Sequence, residues 1–143
     1  MKKIVVPTDF SEQAGYALDF AYQIAGKSGA KITLLHVIEH ASHRATFMGS
    51  TSLSASVDVS TGVEMDDVYY IELFKRRKRQ MAEVLGDPRF EKIEIEDKIM
   101  LGTPYHAIEE EITETDADLI VMGTTGVSNW QESMIGSVAE KVV

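Results

Sequence analysis

The chain has 143 residues, 44% hydrophobic and 26% charged, which suits one compact domain and leaves little room for a second. Fourteen Lys and Arg against 23 Asp and Glu give a formal net charge of -9, so the surface as a whole repels phosphate backbones and anionic membranes. No cysteine is present, which removes disulfides, thiolate nucleophiles and Cys-ligated metal centres and makes the cytoplasm the expected compartment.

After Met1-Lys2-Lys3 only Ile4-Val5-Val6 is apolar before Pro7, far short of an export signal, and Leu119-Ile120-Val121-Met122 is too short to cross a bilayer. A soluble protein is expected. Ile4-Val5-Val6 is an unbroken apolar run that stops at Pro7-Thr8-Asp9, the pattern of a strand buried on both faces. Ser11 is placed to cap a following helix, and Ala14, Ala17, Leu18, Ala21, Ile24 and Ala25 recur at helical spacing up to Gly26 and Gly29. Ile32 to Ile38 is a second apolar, partly β-branched strand.

Residues 40–62 are rich in Ser, Thr and Gly without a sustained period and read as a long mobile loop, either a functional lid or a disordered segment. From about Asp66 a helical stripe of Tyr70, Ile71, Phe74, Met81, Val84 and Leu85 returns, closed by Gly86 and Pro88. Ile93, Ile95 and Ile99 alternate with Glu94, Glu96 and Lys98, as in a strand at a sheet edge. Gly102-Thr103-Pro104 supplies a cap and a first-turn proline for a helix that buries Tyr105, Ile108 and Ile112. Leu119 to Met122, apolar throughout, reads as a central strand. Strands alternating with helices predict an α/β fold, an open parallel sheet with helices on both faces.

In such a sheet ligands bind outside the carboxyl ends of the strands, where the connections diverge. Two loops stand out. The first is Pro7-Thr8-Asp9-Phe10-Ser11; the second is Gly123-Thr124-Thr125-Gly126, followed nine residues later by Gly136-Ser137 at the start of a last helix. Gly123 and Gly126 would let backbone N–H groups approach an anion, and Gly136 and Ser137 would set free N–H groups and a hydroxyl at a positive helix end.

These residues resemble the universal stress proteins of the UspA type. The nucleotide-binding members of that family carry Gly, two residues, Gly, nine residues, Gly and Ser or Thr, and Gly123, Gly126, Gly136 and Ser137 stand at those spacings. Pro7 to Ser11, Leu35-His36-Val37, Gly102-Thr103-Pro104 and Gly136 to Glu140 look like the family as well, so the likeness spans almost the whole chain. It implies a Rossmann-like fold, similar to adenine nucleotide alpha hydrolases, with strand order 3-2-1-4, and a site for ATP, with ADP and AMP as alternatives and with or without Mg2+. Within the opening Pro7-Thr8-Asp9, Asp9 would face the adenosine together with the Val37 main chain. Met122 and Gly123 would line the ribose side, and Gly126, Gly136, Ser137 and Val138 would hold the phosphates. The residues agree with this division, because a carboxylate is a good acceptor for ribose hydroxyls and a poor neighbour for phosphate.

Two departures accompany the likeness. Val127 to Ile135 contains no Lys or Arg, and Glu132 there would oppose a triphosphate unless it points away or a cation intervenes. The sequence also stops at Val143 in the last helix, where the family continues into a fifth strand that often pairs with a partner. The expectation is one domain of a tandem protein or a truncated chain, with Leu119 to Met122 left at an open edge.

Other features read as structural. Lys75 to Arg79 wrap a helix circumference, because successive residues rotate by about 100°, and suggest a solvated face rather than a nucleic-acid stripe. Glu109-Glu110-Glu111 likewise reads as a solvated face and His36 as a satisfied core histidine. His40 and His43 lack a third ligand for a metal, and Trp130 reads as an anchor for the long loop. Asp9 has a second reading, as a cap for the first helix.

The sequence therefore points to a regulatory module that binds an adenine nucleotide and associates, accordingly, with a second copy or a second such domain. No Gly-x-x-x-x-Gly-Lys is present, so fast hydrolysis is not expected. The alternatives are a UspA-like dimerisation domain that binds no nucleotide, and a slow ATPase. Neither nucleic acid nor a membrane is an expected partner.

Overall fold

The computed structural model describes residues 1–39 and 65–123. The expected loop at 40–62, with His40 and His43, lies outside the described residues. So do Trp130, Glu132 and the last helix.

Four strands and three helices alternate along the described chain: β1 (Lys3–Pro7), α1 (Glu12–Ser28), β2 (Lys31–Ile38), α2 (Met65–Leu85), β3 (Ile95–Leu101), α3 (Pro104–Thr115) and β4 (Leu119–Ile120). The sheet order is β3-β2-β1-β4 and every pairing is parallel. This is the 3-2-1-4 order expected from the family likeness.

Burial explains the layers. Ile4, Val5 and Val6 are at most 1% exposed, because side chains on both faces of β1 are covered by helices. On one face Ile4, Val6, Ile32 and Leu34 pack with Ala17, Leu18, Ala21 and Ala25 of α1 and Met81 of α2. On the other face Val5, Leu35 and Val37 pack with Ala107 and Ile108 of α3. Helices α1 and α2 therefore share one side and, among the described residues, α3 covers the opposite one.

Local signals place the helix ends. The Ser11 hydroxyl accepts from the Ala14 N–H at 3.2 Å, and α1 closes on Gly29, whose left-handed φ of 73° a glycine adopts without a Cβ penalty. Pro104 opens α3 as expected, but the Thr103 side chain at the cap position makes no capping hydrogen bond, and its carbonyl accepts the first regular helical bond, from Ala107 N–H.

Four expectations are corrected. The third strand runs from Ile95 to Leu101 rather than from Ile93, because Ile93 packs on the core beside Gly26 before the ladder with β2 begins. It is an edge among the described residues, as expected. The fourth strand is two residues long instead of four; among the described residues it pairs with β1 alone, at the outer edge where the 3-2-1-4 order puts it and not at the centre that its apolar run by itself suggested. The stripe on α2 is buried at Met81, but Ile71 and Phe74 are exposed. Finally, Glu111 is not solvated: its side chain is 2% exposed and paired with Lys98 of β3, which crosses from strand to helix and also reaches Glu114 at 3.4 Å.

Candidate functional site

The carboxyl ends of β1, β2 and β4 meet at one rim. Pro7 lies beside Leu35, and Val5 beside Ile120, so the parallel register brings Met122 level with Pro7. The connections also diverge there. From β1 through β2 to β3 the chain steps one way with α1 and α2 on a single face; from β3 it returns past β1 to β4 with α3 on the opposite face. Right-handed crossovers force that change of face when the direction of stepping reverses. The reversal falls between β1 and β4, and the crevice outside the carboxyl ends of strands at such a point is where open α/β sheets bind ligands as a rule.

The first loop is built by hydrogen bonds over a short distance. The Thr8 N–H donates to the Leu35 carbonyl at 2.8 Å, continuing the β1–β2 connection beyond the last strand residue. Asp9 Oδ1 accepts from the Ser11 N–H at 2.9 Å and Thr8 Oγ1 from the Phe10 N–H at 3.0 Å, two side-chain turns in succession. Between them Phe10 has φ 64°, a left-handed conformation that costs a bulky residue about 1–3 kcal/mol. Asp9 is therefore not the helix cap; Ser11 is, and Asp9 shapes the turn that leads into it.

His36 sits beneath this turn. It is 8% exposed, its Nδ1 lies 2.8 Å from the Thr8 carbonyl oxygen, and its ring centroid is 4.8 Å from that of Phe10. It is a satisfied core histidine, as expected. Burial pushes its pKa below the ordinary value, an effect that the Thr8 carbonyl and Asp9 oppose and Arg77 of α2 reinforces. Arg77 belongs to the basic run read as solvated, yet it is half-buried: its Nη1 donates to Gln80 Oε1 at 2.6 Å, and its buried Nε has no hydrogen-bond partner among the described residues.

The second loop begins against the first helix. A Cβ on Gly123 would stand 3.2 Å from the backbone carbon and the Cβ of Gln13 in the first turn of α1, closer than neighbouring side chains allow without displacement. Glycine favours the close approach of two backbones there, a packing role separate from the access to an anion that its spacing suggested. Met122 and Val37 pack with the same apolar cluster on the α3 side.

Of the ten residues expected at the site, Pro7, Thr8, Asp9, Val37, Met122 and Gly123 are described, and all six lie at this rim. Gly126, Gly136, Ser137 and Val138 lie outside the described residues. Sequence reasoning missed the link from His36 to Thr8, which spans 28 residues and carries no local signature. Among the described residues no group of three or more His, Asp or Glu is placed to hold a metal ion, and no helix is long and apolar enough to cross a membrane.

Known proteins agree with this arrangement. The profile of the universal stress protein family matches residues 1–143. Universal stress protein MJ0577 of Methanocaldococcus jannaschii is 29% identical over 147 residues, covering 99% of this chain and 88% of that protein. MJ0531 of the same organism is 32% identical over 142 residues, covering 99% and 75%. The solved structure of MJ0577 superposes with a TM-score of 0.72 at 26% identity, over 99% of this chain and 87% of that one. A universal stress protein solved in complex with cAMP superposes with a TM-score of 0.55 at 26% identity, over 99% and 86%. With its sequence matched from end to end and its strands in the order the likeness implied, the chain belongs to the universal stress protein family.

Proposed function

We propose that this chain is an adenine-nucleotide-binding regulatory module. In this reading, occupancy of the crevice between the ends of β1 and β4 orders the flanking loops and changes association with a second copy or a second domain of the same kind. The observation that carries the reading is the junction itself: the Asp9 turn and Gly123 come to one rim at the reversal of strand order.

Each part has a chemical role. The Asp9 carboxylate supplies acceptors for ribose hydroxyls, with the Val37 main chain facing the adenosine beside it. Met122 and Gly123 line the ribose side, and Gly126, Gly136, Ser137 and Val138 take the phosphates. The relative solved with cAMP supports an adenine nucleotide as ligand class. ATP, ADP and AMP are all candidates, and a divalent cation would offset Glu132 when a triphosphate is bound. The chain binds more than it converts, since it has no Walker-type lysine motif.

Isothermal titration of the whole chain with ATP, ADP, AMP and cAMP, each with and without Mg2+, tests the reading. Saturable heat at or below millimolar ligand is expected, with a change in sedimentation on addition of nucleotide. No heat with any of the four while the fold is intact would overturn it and leave association without nucleotide as the function. Phosphate release above that of a Ser137→Ala control would instead indicate slow hydrolysis.

A further inference from the structure

We propose that His36 is the positioning residue of this site: its imidazole clamps the Thr8 peptide from below and props Phe10, and so determines where the Asp9 carboxylate is presented. The inference rests on the nucleotide reading above and names a side chain that does not itself touch the ligand.

The geometry is specific. A carbonyl oxygen only accepts, so at 2.8 Å from the Thr8 oxygen the Nδ1 of His36 carries the hydrogen and the tautomer is set. On its other side Thr8 donates its N–H, part of the preceding peptide, to the carbonyl of Leu35, the residue before His36. Two consecutive residues of β2 thus hold both polar groups of one loop residue. The regular ladder of β1 with β2 ends at Pro7 and Leu35, because the chain must turn away into α1; the imidazole extends the attachment past that point by means of a side chain.

The ring has a second contact. Phe10 adopts a left-handed conformation that its side chain disfavours, and its ring packs on His36 at 4.8 Å. Asp9 lies between the two residues that His36 holds. Its carboxylate is aimed by the turn on either side, with Oδ1 taken by the Ser11 N–H. The charged groups facing the imidazole are Asp9 from the loop and Arg77 from α2, of opposite sign, and burial keeps the ring neutral near neutral pH. Loss of the Nδ1 donor leaves the Thr8 carbonyl without this partner and frees the turn to rotate, which misplaces Asp9 without touching the phosphate side.

Three substitutions separate the Nδ1 donor from bulk and polarity. Asn places its amide nitrogen near the position of Nδ1, Gln places it farther out, and Leu keeps volume without a donor. His36→Leu and His36→Gln are expected to raise Kd about tenfold, the size of one lost hydrogen bond. The factor should be the same for adenosine, AMP and ATP, and His36→Asn should restore most of the affinity. Equal Kd in His36→Leu and wild type, or a loss that grows with the number of phosphates, overturns the proposal. Amide spectra of the ligand-free proteins give an independent reading. Resonances of Thr8 to Ser11 should move in His36→Gln and return in His36→Asn; unchanged spectra overturn the clamp even if nucleotide binds. Absence of heat with the wild type overturns the nucleotide reading instead, while the spectra still decide whether His36 holds the turn. Should His36→Leu fail to fold, His36→Gln and His36→Asn carry both measurements.

Discussion

The two ends of the sheet are fastened by different chemistry. At the amino ends the ties are charged and in water: Asp118 Oδ2 accepts from the backbone N–H groups of Lys2 at 2.7 Å and Lys3 at 3.0 Å, and Lys31 pairs with Glu94 at 2.9 Å. At the carboxyl ends the ties are half-buried hydrogen bonds, mostly between side chains and backbone, and they hold a disfavoured conformation at Phe10. Exposed ion pairs contribute little and vary with salt, whereas a buried clamp on a strained turn fixes position. The difference teaches that one end closes the sheet and the other presents groups, so substitutions at the two ends should part company between stability and binding.

The largest effect is expected at neither end, and it calibrates the comparison. Lys98→Met leaves Glu111 buried without its cation, which should cost about 3 kcal/mol and lower Tm by roughly 10 °C. Nucleotide affinity of the folded fraction should be unchanged; calorimetric melting and titration check both. Next comes Gly123→Val, whose side chain must displace Gln13 in the first turn of α1. Overpacking of this kind costs about 1–3 kcal/mol, and here titration should also find nucleotide binding abolished. Asp9→Ala removes the acceptor for Ser11 N–H and should cost about 1 kcal/mol, with a loss of affinity larger than that figure alone would give.

Acidification probes the buried ring. The folded-state pKa of His36 is lowered from 6.5, so the unfolded chain binds more protons in the window just below that value. Stability from this group is complete above pH 6.5 and is lost as pH falls towards the folded-state pKa. Denaturant titrations across that window should show a slope that His36→Asn removes. The smallest effect belongs to the amino end. Backbone N–H groups of Lys2 and Lys3 hold Asp118 below the usual carboxylate range, so its contribution is present above its unfolded value of 3.8 and is lost as pH falls through the folded value. Asp118→Asn should lower Tm slightly at neutral pH, match the wild type in acid, and leave Kd alone. A change in Kd there would break the division between the ends.

Periodicity and composition made much of this legible in advance. Ile4 to Val6 and Ile32 to Ile38 read as buried strands because helices cover both faces, and apolar spacing is the direct record of that burial. Ser11 and Gly29 mark helix ends because their roles are local. What escaped is tertiary. Glu111 sits in a run of three glutamates that looks solvated, and only the lysine on β3, thirteen residues earlier, makes its burial tolerable. Arg77 stands in a basic run with no sequence mark to distinguish the residue that turns inward. At the site, Asp9 and Gly123 carried spacing signals, whereas the histidine that holds the turn did not. Its partner lies in another strand, and a His in an apolar run looks alike whether it positions a loop or merely fills the core.

The pairing of β1 with β4 joins Ile4 to Leu119, nearly the whole described length apart. During synthesis β1, α1 and β2 can gather early, since they follow closely along the chain, but β1 lacks its second neighbour until Leu119 has left the ribosome. Closing so long a loop is entropically slow. The rim proposed as the binding site is therefore among the last parts of the domain to be assembled, and a nascent chain halted before β4 would display an apolar β1 edge to chaperones.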